Sequence, residues 1–163
     1  MHSIVATDLD ADGDLDLVPG SHYSAAVSVF LGHGDGTFEP RRDYETGPAA
    51  RSVAVADLDR DGHVDLVVGN SEAFYGRSIS VLRGRGDGTF EPKIDSAMDG
   101  VSPSTVAAAD FDEDGFPDVV AGYEGGATFV HVVRAGWATG GSAPSRGSRE
   151  RIQPDRRRRR RPR

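Results

Sequence analysis

The chain has 163 residues, of which 21 are glycine and none is cysteine, and its formal net charge is −7. This length suits one ordinary domain, and the lack of cysteine excludes disulfides, thiolate zinc sites and cysteine nucleophiles. The charge is uneven, because residues 1–141 carry 24 acidic and 9 basic side chains whereas residues 142–163 carry 2 and 10.

One nine-residue pattern, Asp-x-Asp-x-Asp-Gly-x-x-Asp, occurs three times. The copies begin at Asp8, Asp57 and Asp110, so that successive copies are 49 and 53 residues apart. A second pattern, Gly-Asp-Gly-Thr-Phe, follows the first two copies at residues 34–38 and 86–90. Self-similarity at a period of about 50 residues indicates a repeat architecture.

Short apolar runs flank each aspartate loop and predict strands. Runs of this length between turn residues suit strands that are buried on both faces. The runs before the loops are residues 3–6, 52–56 and 105–109, and those after them are 15–18, 64–69 and 119–122. A third strand is predicted at 27–31, 79–82 and 130–133, and a fourth follows the glycine-rich turn, as at 41–45.

The sequence therefore predicts an all-β protein in which residues 1–134 form three four-stranded repeats, at about 1–48, 49–100 and 101–134. Four strands in roughly 50 residues is the content of one β-propeller blade. A closed ring generally needs at least four blades. We therefore expect an incomplete propeller, completed by blades of a longer protein or by self-association.

The aspartate loops have the composition of calcium sites. Calcium takes six to eight oxygen ligands, and alternate side chains of a tight loop converge on one centre. Glycine at position 6 permits the turn, position 7 offers its carbonyl, and the aspartate at position 9 closes the shell. We predict one ion per loop, about three in all. The predicted ligands are Asp8, Asp10, Asp12, the carbonyl of Asp14, and Asp16; Asp57, Asp59, Asp61, the carbonyl of His63, and Asp65; and Asp110, Asp112, Asp114, the carbonyl of Phe116, and Asp118.

Solvated turns and EF-hand loops are the two other interpretations of this pattern. Aspartate and glycine favour solvated turns without any metal, but three copies at one period favour a metal site. An EF-hand loop also begins Asp-x-Asp-x-Asp-Gly, yet it needs a glutamate at position 12 between two helices. Position 12 is Pro19, Val68 or Ala121 here, so the EF-hand is excluded.

The three aspartate loops, the Val-Ala-x-Ala-Asp run at residues 53–57 and the two Gly-Asp-Gly-Thr-Phe turns resemble FG-GAP, or VCBS-type, repeats of integrin α-chain propellers and bacterial surface proteins. The resemblance covers roughly residues 1–134. It implies a β-propeller with calcium in the hairpin between the first two strands of each blade. It also implies an extracellular or cell-surface location and a role in adhesion or in binding a protein or carbohydrate ligand.

No catalytic pattern accompanies these repeats. The chain has no nucleophile elbow and no phosphate-binding glycine loop, and its five histidines lack ligand spacing. We therefore expect a non-enzymatic module. The alternative is an accessory, calcium-stabilised part of a larger secreted enzyme that acts on polysaccharide or lipid.

Residues 135–163 have a different composition and end in six arginines at 156–161. We expect a disordered, arginine-rich tail. A shifted reading frame after about Val133 would explain why the third glycine-rich turn is missing. Arginine clusters can bind nucleic acid, but the acidic balance of residues 1–141 disfavours such a partner.

The N-terminus lacks the features of a signal peptide, and a fragment of a longer protein is expected.

Overall fold

The computed structural model describes residues 3–72, 76–98, 102–123, 130–133 and 149–150. These ranges are all-β, and none of them forms a helix that could cross a membrane. The strands are β1 (Ile4–Thr7), β2 (Asp16–Pro19), β3 (Ala26–Val29), β4 (Arg42–Glu45), β5 (Ala50–Ala56), β6 (Asp65–Glu72), β7 (Gly76–Leu82), β8 (Ile94–Ala97), β9 (Pro103–Ala109), β10 (Asp118–Tyr123), β11 (Val130–Val133) and β12 (Arg149–Glu150).

The strands form three antiparallel units that follow one another along the chain. Unit 1 contains the pairs β1–β2 and β3–β4, which are joined by a bridge between Leu17 and Phe30 with N···O distances of 2.9 and 3.0 Å. Unit 2 is a continuous sheet in the order β5-β6-β7-β8, and unit 3 is a sheet in the order β9-β10-β11-β12. Each unit is an up-and-down arrangement of neighbouring strands, which the turn-rich sequence favours.

Apolar side chains pack between neighbouring units. Because successive residues of a strand point to opposite faces, Leu66 and Val68 of β6 face unit 1, whereas Val67 faces unit 3. The first core contains Leu9, Val18, Val27, Val29 and Leu31 of unit 1 and Ala50, Val53, Leu66, Val68, Leu82 and Phe90 of unit 2. The second core contains Leu58, Val67, Ile79, Val81 and Met98 of unit 2 and Val106, Val119 and Ala121 of unit 3. Unit 2 is thus buried on both faces, as the apolar runs predict.

A serine hydroxyl at one repeat position also links neighbouring units. Ser3 Oγ accepts a hydrogen bond from the backbone N–H of Val53 at 2.8 Å. Ser52 Oγ accepts the equivalent bond from Val106 at 3.0 Å. The two bonds join residues that are separated by 50 and by 54 positions in the sequence. They fix the register of one unit against the next.

The prediction that the first strand of a unit is buried on both faces is wrong for β1 and for β9, where Thr105, Ala107 and Ala109 are exposed on one face. Ile4 is 65% exposed, whereas Val53, at the same position of unit 2, is 5% exposed. The reason is positional, because Val53 packs in the core against unit 1 while Ile4 lies on the outer side of unit 1. Of the predicted tail at 135–163, the structure describes only Arg149–Glu150, which pair with β11; the rest lies outside the described residues.

Candidate metal centres

The three aspartate loops join the first two strands of each unit. They connect β1 to β2, β5 to β6 and β9 to β10, and we number their nine residues as positions 1 to 9. In each hairpin the residue before position 1 pairs with position 9. The pairs are Thr7 with Asp16, Ala56 with Asp65 and Ala109 with Asp118. The three loops therefore share one register.

Two left-handed residues shape each loop. Glycine at position 6 has a φ of 93°, 91° or 92°, as the predicted sharp turn requires. Position 4 is also left-handed, with φ values of 62°, 63° and 60° at Ala11, Arg60 and Glu113. Non-glycine residues rarely adopt this conformation, so its recurrence shows that loop closure imposes it. Sequence reasoning did not anticipate it, because the side chains at position 4 share no property.

Carboxylate oxygens converge in every loop. Within each cluster the potential ligand oxygens of three aspartates lie within 4.8 Å of one another. The clusters are Asp8, Asp10 and Asp16; Asp57, Asp59 and Asp61; and Asp110, Asp112 and Asp114. Positions 1 and 3 belong to all three clusters, joined by position 9 in the first loop and by position 5 in the others. Each cluster could hold a metal ion.

Backbone amides orient the carboxylates at positions 1 and 5. In the second loop, Asp57 accepts hydrogen bonds from the N–H groups of Asp61 at 3.1 Å and Gly62 at 3.0 Å. Asp61 in turn accepts a bond from the N–H of His63 at 2.8 Å. The position-6 and position-7 amides make the same bonds in the other loops, Gly13 to Asp8, Asp14 to Asp12, Gly115 to Asp110 and Phe116 to Asp114. The loops are therefore preorganised by their own backbone.

The aspartate at position 9 is buried and tied down by backbone amides. Asp65 is fully buried, and its two oxygens accept the N–H groups of Leu58 at 2.8 Å and Gly84 at 2.9 Å. Asp16 accepts the corresponding bonds from Leu9 at 2.7 Å and Gly32 at 2.8 Å. These carboxylates connect the loop to the glycine that follows the third strand, a role that the loop pattern alone does not reveal.

The third loop keeps part of this arrangement. Asp118 is 3% exposed, and it accepts a hydrogen bond from the N–H of Phe111 at 3.3 Å. The residues that would correspond to Gly32 and Gly84 lie outside the described part of the chain. The cluster formed by Asp110, Asp112 and Asp114 is exposed, in contrast to the half-buried positions 1 and 3 of the other two loops.

Unbalanced negative charge marks the first two loops. Burial raises the pKa of Asp65 to about 6 in spite of its two N–H donors. Burial, followed by the charges of Asp12 and Asp16, raises the pKa of Asp10. Within the described residues, Asp8 Oδ1 and Asp59 Oδ1 are buried and accept no hydrogen bond. Buried carboxylate oxygens normally have a partner, and a hard cation would supply one.

Arg83 distinguishes the second loop from the first. Its Nε lies 3.5 Å from Asp59 Oδ2 at position 3, and both side chains are mostly buried. The corresponding residue of unit 1 is Leu31, which packs in the apolar core. A guanidinium therefore already neutralises part of the charge of the second cluster. The aspartate pattern gives no sign of this contact, because Arg83 lies 24 residues beyond Asp59 in the sequence.

The glycine-rich turns pack against the aspartate loops. Asp35 Oδ1 accepts hydrogen bonds from the N–H and hydroxyl of Thr37, and Asp87 does the same with Thr89. These bonds lower the pKa of both aspartates. A side chain at Gly34 would collide with the carboxyl group of Asp14 at position 7. In the first two repeats the glycine-rich turn thus lies against position 7 of the aspartate loop.

Comparison with known families identifies this arrangement. The sequence model of the FG-GAP-like repeat matches residues 8–68 and again residues 57–121, so that each match runs from one aspartate loop through the next. The chain belongs to the FG-GAP-like repeat family. FG-GAP-like repeats indicate a β-propeller-like module, in agreement with the stacked antiparallel units. No curated protein matches the chain.

The predicted FG-GAP ligand positions are thus brought together to different degrees. Positions 1 and 3 converge in all three loops. Position 5 joins the cluster at Asp61 and Asp114, whereas in the first loop position 9, Asp16, takes that place instead of Asp12. The carbonyl groups of Asp14, His63 and Phe116 at position 7 remain predicted ligands.

Proposed function

We propose that this FG-GAP-like chain is a non-enzymatic, calcium-binding β-propeller module with one ion in each aspartate loop. The observation that carries the proposal is the recurrence of three convergent carboxylates at the same hairpin of three successive units. Without a metal ion, the carboxylates within each cluster would repel one another. A divalent cation converts that repulsion into a link between the first two strands of each unit.

The donor chemistry favours calcium. Every predicted ligand is a carboxylate or carbonyl oxygen, and neither sulfur nor imidazole nitrogen takes part. Oxygen-only sites suit calcium, magnesium and manganese, whereas zinc and copper prefer nitrogen or sulfur. A loop with four carboxylates can supply most of calcium's six to eight ligands, while magnesium usually retains several waters. We expect dissociation constants of about 10⁻⁵ to 10⁻³ M, in the range of extracellular calcium.

A calcium titration tests the metal sites directly. Isothermal titration calorimetry of the full chain should show saturable binding of about three calcium ions, and binding of magnesium at least about tenfold weaker. A triple variant with Asp8→Asn, Asp57→Asn and Asp110→Asn should lose this binding, because a ligand charge is removed from each site. Glu91→Gln, at an exposed acid outside the clusters, is the control. Equal calcium binding by the triple variant would refute the proposed sites.

We further propose that the module serves adhesion or ligand binding at the cell surface. The support is family membership, because FG-GAP repeats are commonly extracellular, together with the weak calcium affinity expected of such loops. Antibody staining of intact and permeabilised cells of the source organism tests the location. Equal staining of intact and permeabilised cells is the expected result, and staining that requires permeabilisation would contradict it.

We expect the second loop to bind calcium more weakly than the first, because Arg83 pairs with Asp59. Arg83→Leu introduces the residue that unit 1 has at this position. The variant should bind calcium at this loop about three- to tenfold more tightly, since the cation no longer displaces a salt bridge worth on the order of 1 kcal/mol.

Arg85→Leu is the matched control, since Arg85 carries the same charge on the same turn but is exposed. Titrations in a background of Asp8→Asn and Asp110→Asn isolate the second loop. Equal affinities of the Arg83→Leu and Arg85→Leu variants would show that Arg83 does not compete with the ion.

A further inference from the structure

Most residues on the two outer faces of the three-unit stack are exposed, although residues at the same repeat positions pack against the cores between units. We call the outer side of unit 1 the leading face; it contains Ile4, Leu15 and Phe38. We call the outer side of unit 3 the trailing face; it contains Ala107, Phe111 and Val120. Inside the protein, a trailing side of one unit always meets a leading side of the next.

The leading face is as apolar as its buried counterparts. Ile4 is 65% exposed and Phe38 is 39% exposed, whereas Val53 and Phe90, at the same positions of unit 2, are each 5% exposed. Leu15 is 63% exposed, while its counterpart Val64 packs against the first core. These positions are occupied by large apolar residues even where no described unit covers them.

The trailing face shows the same contrast. Phe111 is 55% exposed, but Leu9 and Leu58 at the same position are 4% and 1% exposed, because each is covered by the following unit. Ala107 is exposed, whereas its counterpart Ala54 packs against the second core. Large exposed apolar surfaces on soluble proteins mark interaction sites.

Polar groups on these faces also match the internal junctions. Thr105 occupies the position of Ser3 and Ser52, whose hydroxyls accept an N–H from the next unit. Thr105 is exposed, and its hydroxyl is suited to accept the N–H of Ile4 in another unit. Thus the trailing face carries both the apolar and the hydroxyl components of a junction.

A third match involves the glycine-rich turn. At the junction of units 1 and 2, the N–H of Gly88 donates to the carbonyl of Leu9 at 3.3 Å. A Cβ on Gly88 would collide with Leu31, whereas Gly36, its counterpart on the leading face, has open space around it. The leading face therefore has room for the loop that contains Phe111.

We propose that the trailing face of one copy of this chain docks onto the leading face of a second copy and reproduces the internal junction. The partner is a second copy because this chain carries both halves of the junction. Such a contact is heterologous, so it either closes into a ring or extends by further addition. The proposal rests on the packing faces and does not require the assignment of calcium.

Single-face variants test the head-to-tail geometry. Sedimentation equilibrium in calcium should show concentration-dependent association of the full chain. Ile4→Asp and Phe111→Asp, each at an exposed position, should separately weaken association by about tenfold or more. An equimolar mixture of the two should form a heterodimer, because each variant retains the face that the other lacks.

Tyr23→Asp is the control, since Tyr23 is 91% exposed and belongs to neither face; it should associate as the unaltered chain does. Circular dichroism should show that each variant is folded. A monomeric unaltered chain at all concentrations would overturn the proposal, and so would a mixture that associates no better than its components.

A charge substitution supplies a gain-of-association test. The guanidinium of Arg60 lies 5.3 Å from the ring centre of Phe116, across the junction of units 2 and 3. Between copies, the same positions are held by Glu113 and Asp14, which repel each other. Glu113→Arg should therefore strengthen association several-fold, whereas Glu91→Arg, the same charge change at an exposed acid outside both faces, should not. Equal effects of the two substitutions would contradict the proposed register.

Discussion

Removal of calcium with excess EDTA should lower the thermal unfolding midpoint of this chain by roughly 10 °C or more. A ligand that binds only the folded state adds about 1.4 kcal/mol per site at ten times its dissociation constant, so three loops add about 4 kcal/mol. For a chain of this size, each kcal/mol shifts the midpoint by about 2–4 °C. Without the cation, each cluster also keeps the repulsion between its carboxylates.

The measurement is circular dichroism during heating, with excess EDTA, with millimolar calcium and with millimolar magnesium. Magnesium should raise the midpoint less than calcium. The triple variant with Asp8→Asn, Asp57→Asn and Asp110→Asn should show no response to calcium. Its midpoint in calcium is compared with its own midpoint in EDTA, because asparagine at positions 57 and 110 also loses one of two backbone N–H contacts. One midpoint for the unaltered chain under all three conditions would refute a structural role of the metal.

The fold was predictable from sequence where local patterns determine it. The aspartate loops and glycine-rich turns mark where the chain reverses, and the apolar runs between them must form strands. The prediction of the strand behind the first loop, residues 15–18, differs from β2 (Asp16–Pro19) by one residue at each end. The predicted burial of β1 was wrong, because burial depends on a neighbouring unit that the local sequence cannot indicate.

Contacts between distant residues were not predictable. The hydrogen bond from Val53 to Ser3 spans 50 positions of the sequence. The ion pair of Arg83 with Asp59 spans 24 positions. A serine in a strand or an arginine after one carries no local signature of its partner. Repeat alignment combined with the structure reveals the serine contact, since Ser52 makes the same bond.

The loop pattern predicted which residues form the candidate site, but it did not predict that they have different roles. The loop pattern assigns position 9 the same role as positions 1, 3 and 5. In the structure, Asp16 and Asp65 are buried and accept two backbone N–H groups each. Their carboxylates therefore hold the loop to the rest of the unit, whether or not they also bind an ion.

This difference predicts that position 9 matters for stability even without metal. Asp65→Asn should destabilise the chain by about 1–3 kcal/mol in EDTA. The amide group of asparagine would place an N–H donor against the N–H of Leu58 or Gly84, and one buried donor would lose its acceptor.

Asp61→Asn is the matched control within the same loop. Asp61 is exposed and uses one oxygen to accept the N–H of His63, and asparagine retains that oxygen. We expect Asp61→Asn to change stability in EDTA by less than about 1 kcal/mol but to reduce the gain in stability on adding calcium. Urea unfolding of both variants with EDTA and with calcium separates the two effects. Equal losses of stability in EDTA would show that the backbone N–H bonds to Asp65 contribute no more to stability than the bond from His63 to Asp61. Position 9 would then act through the metal alone.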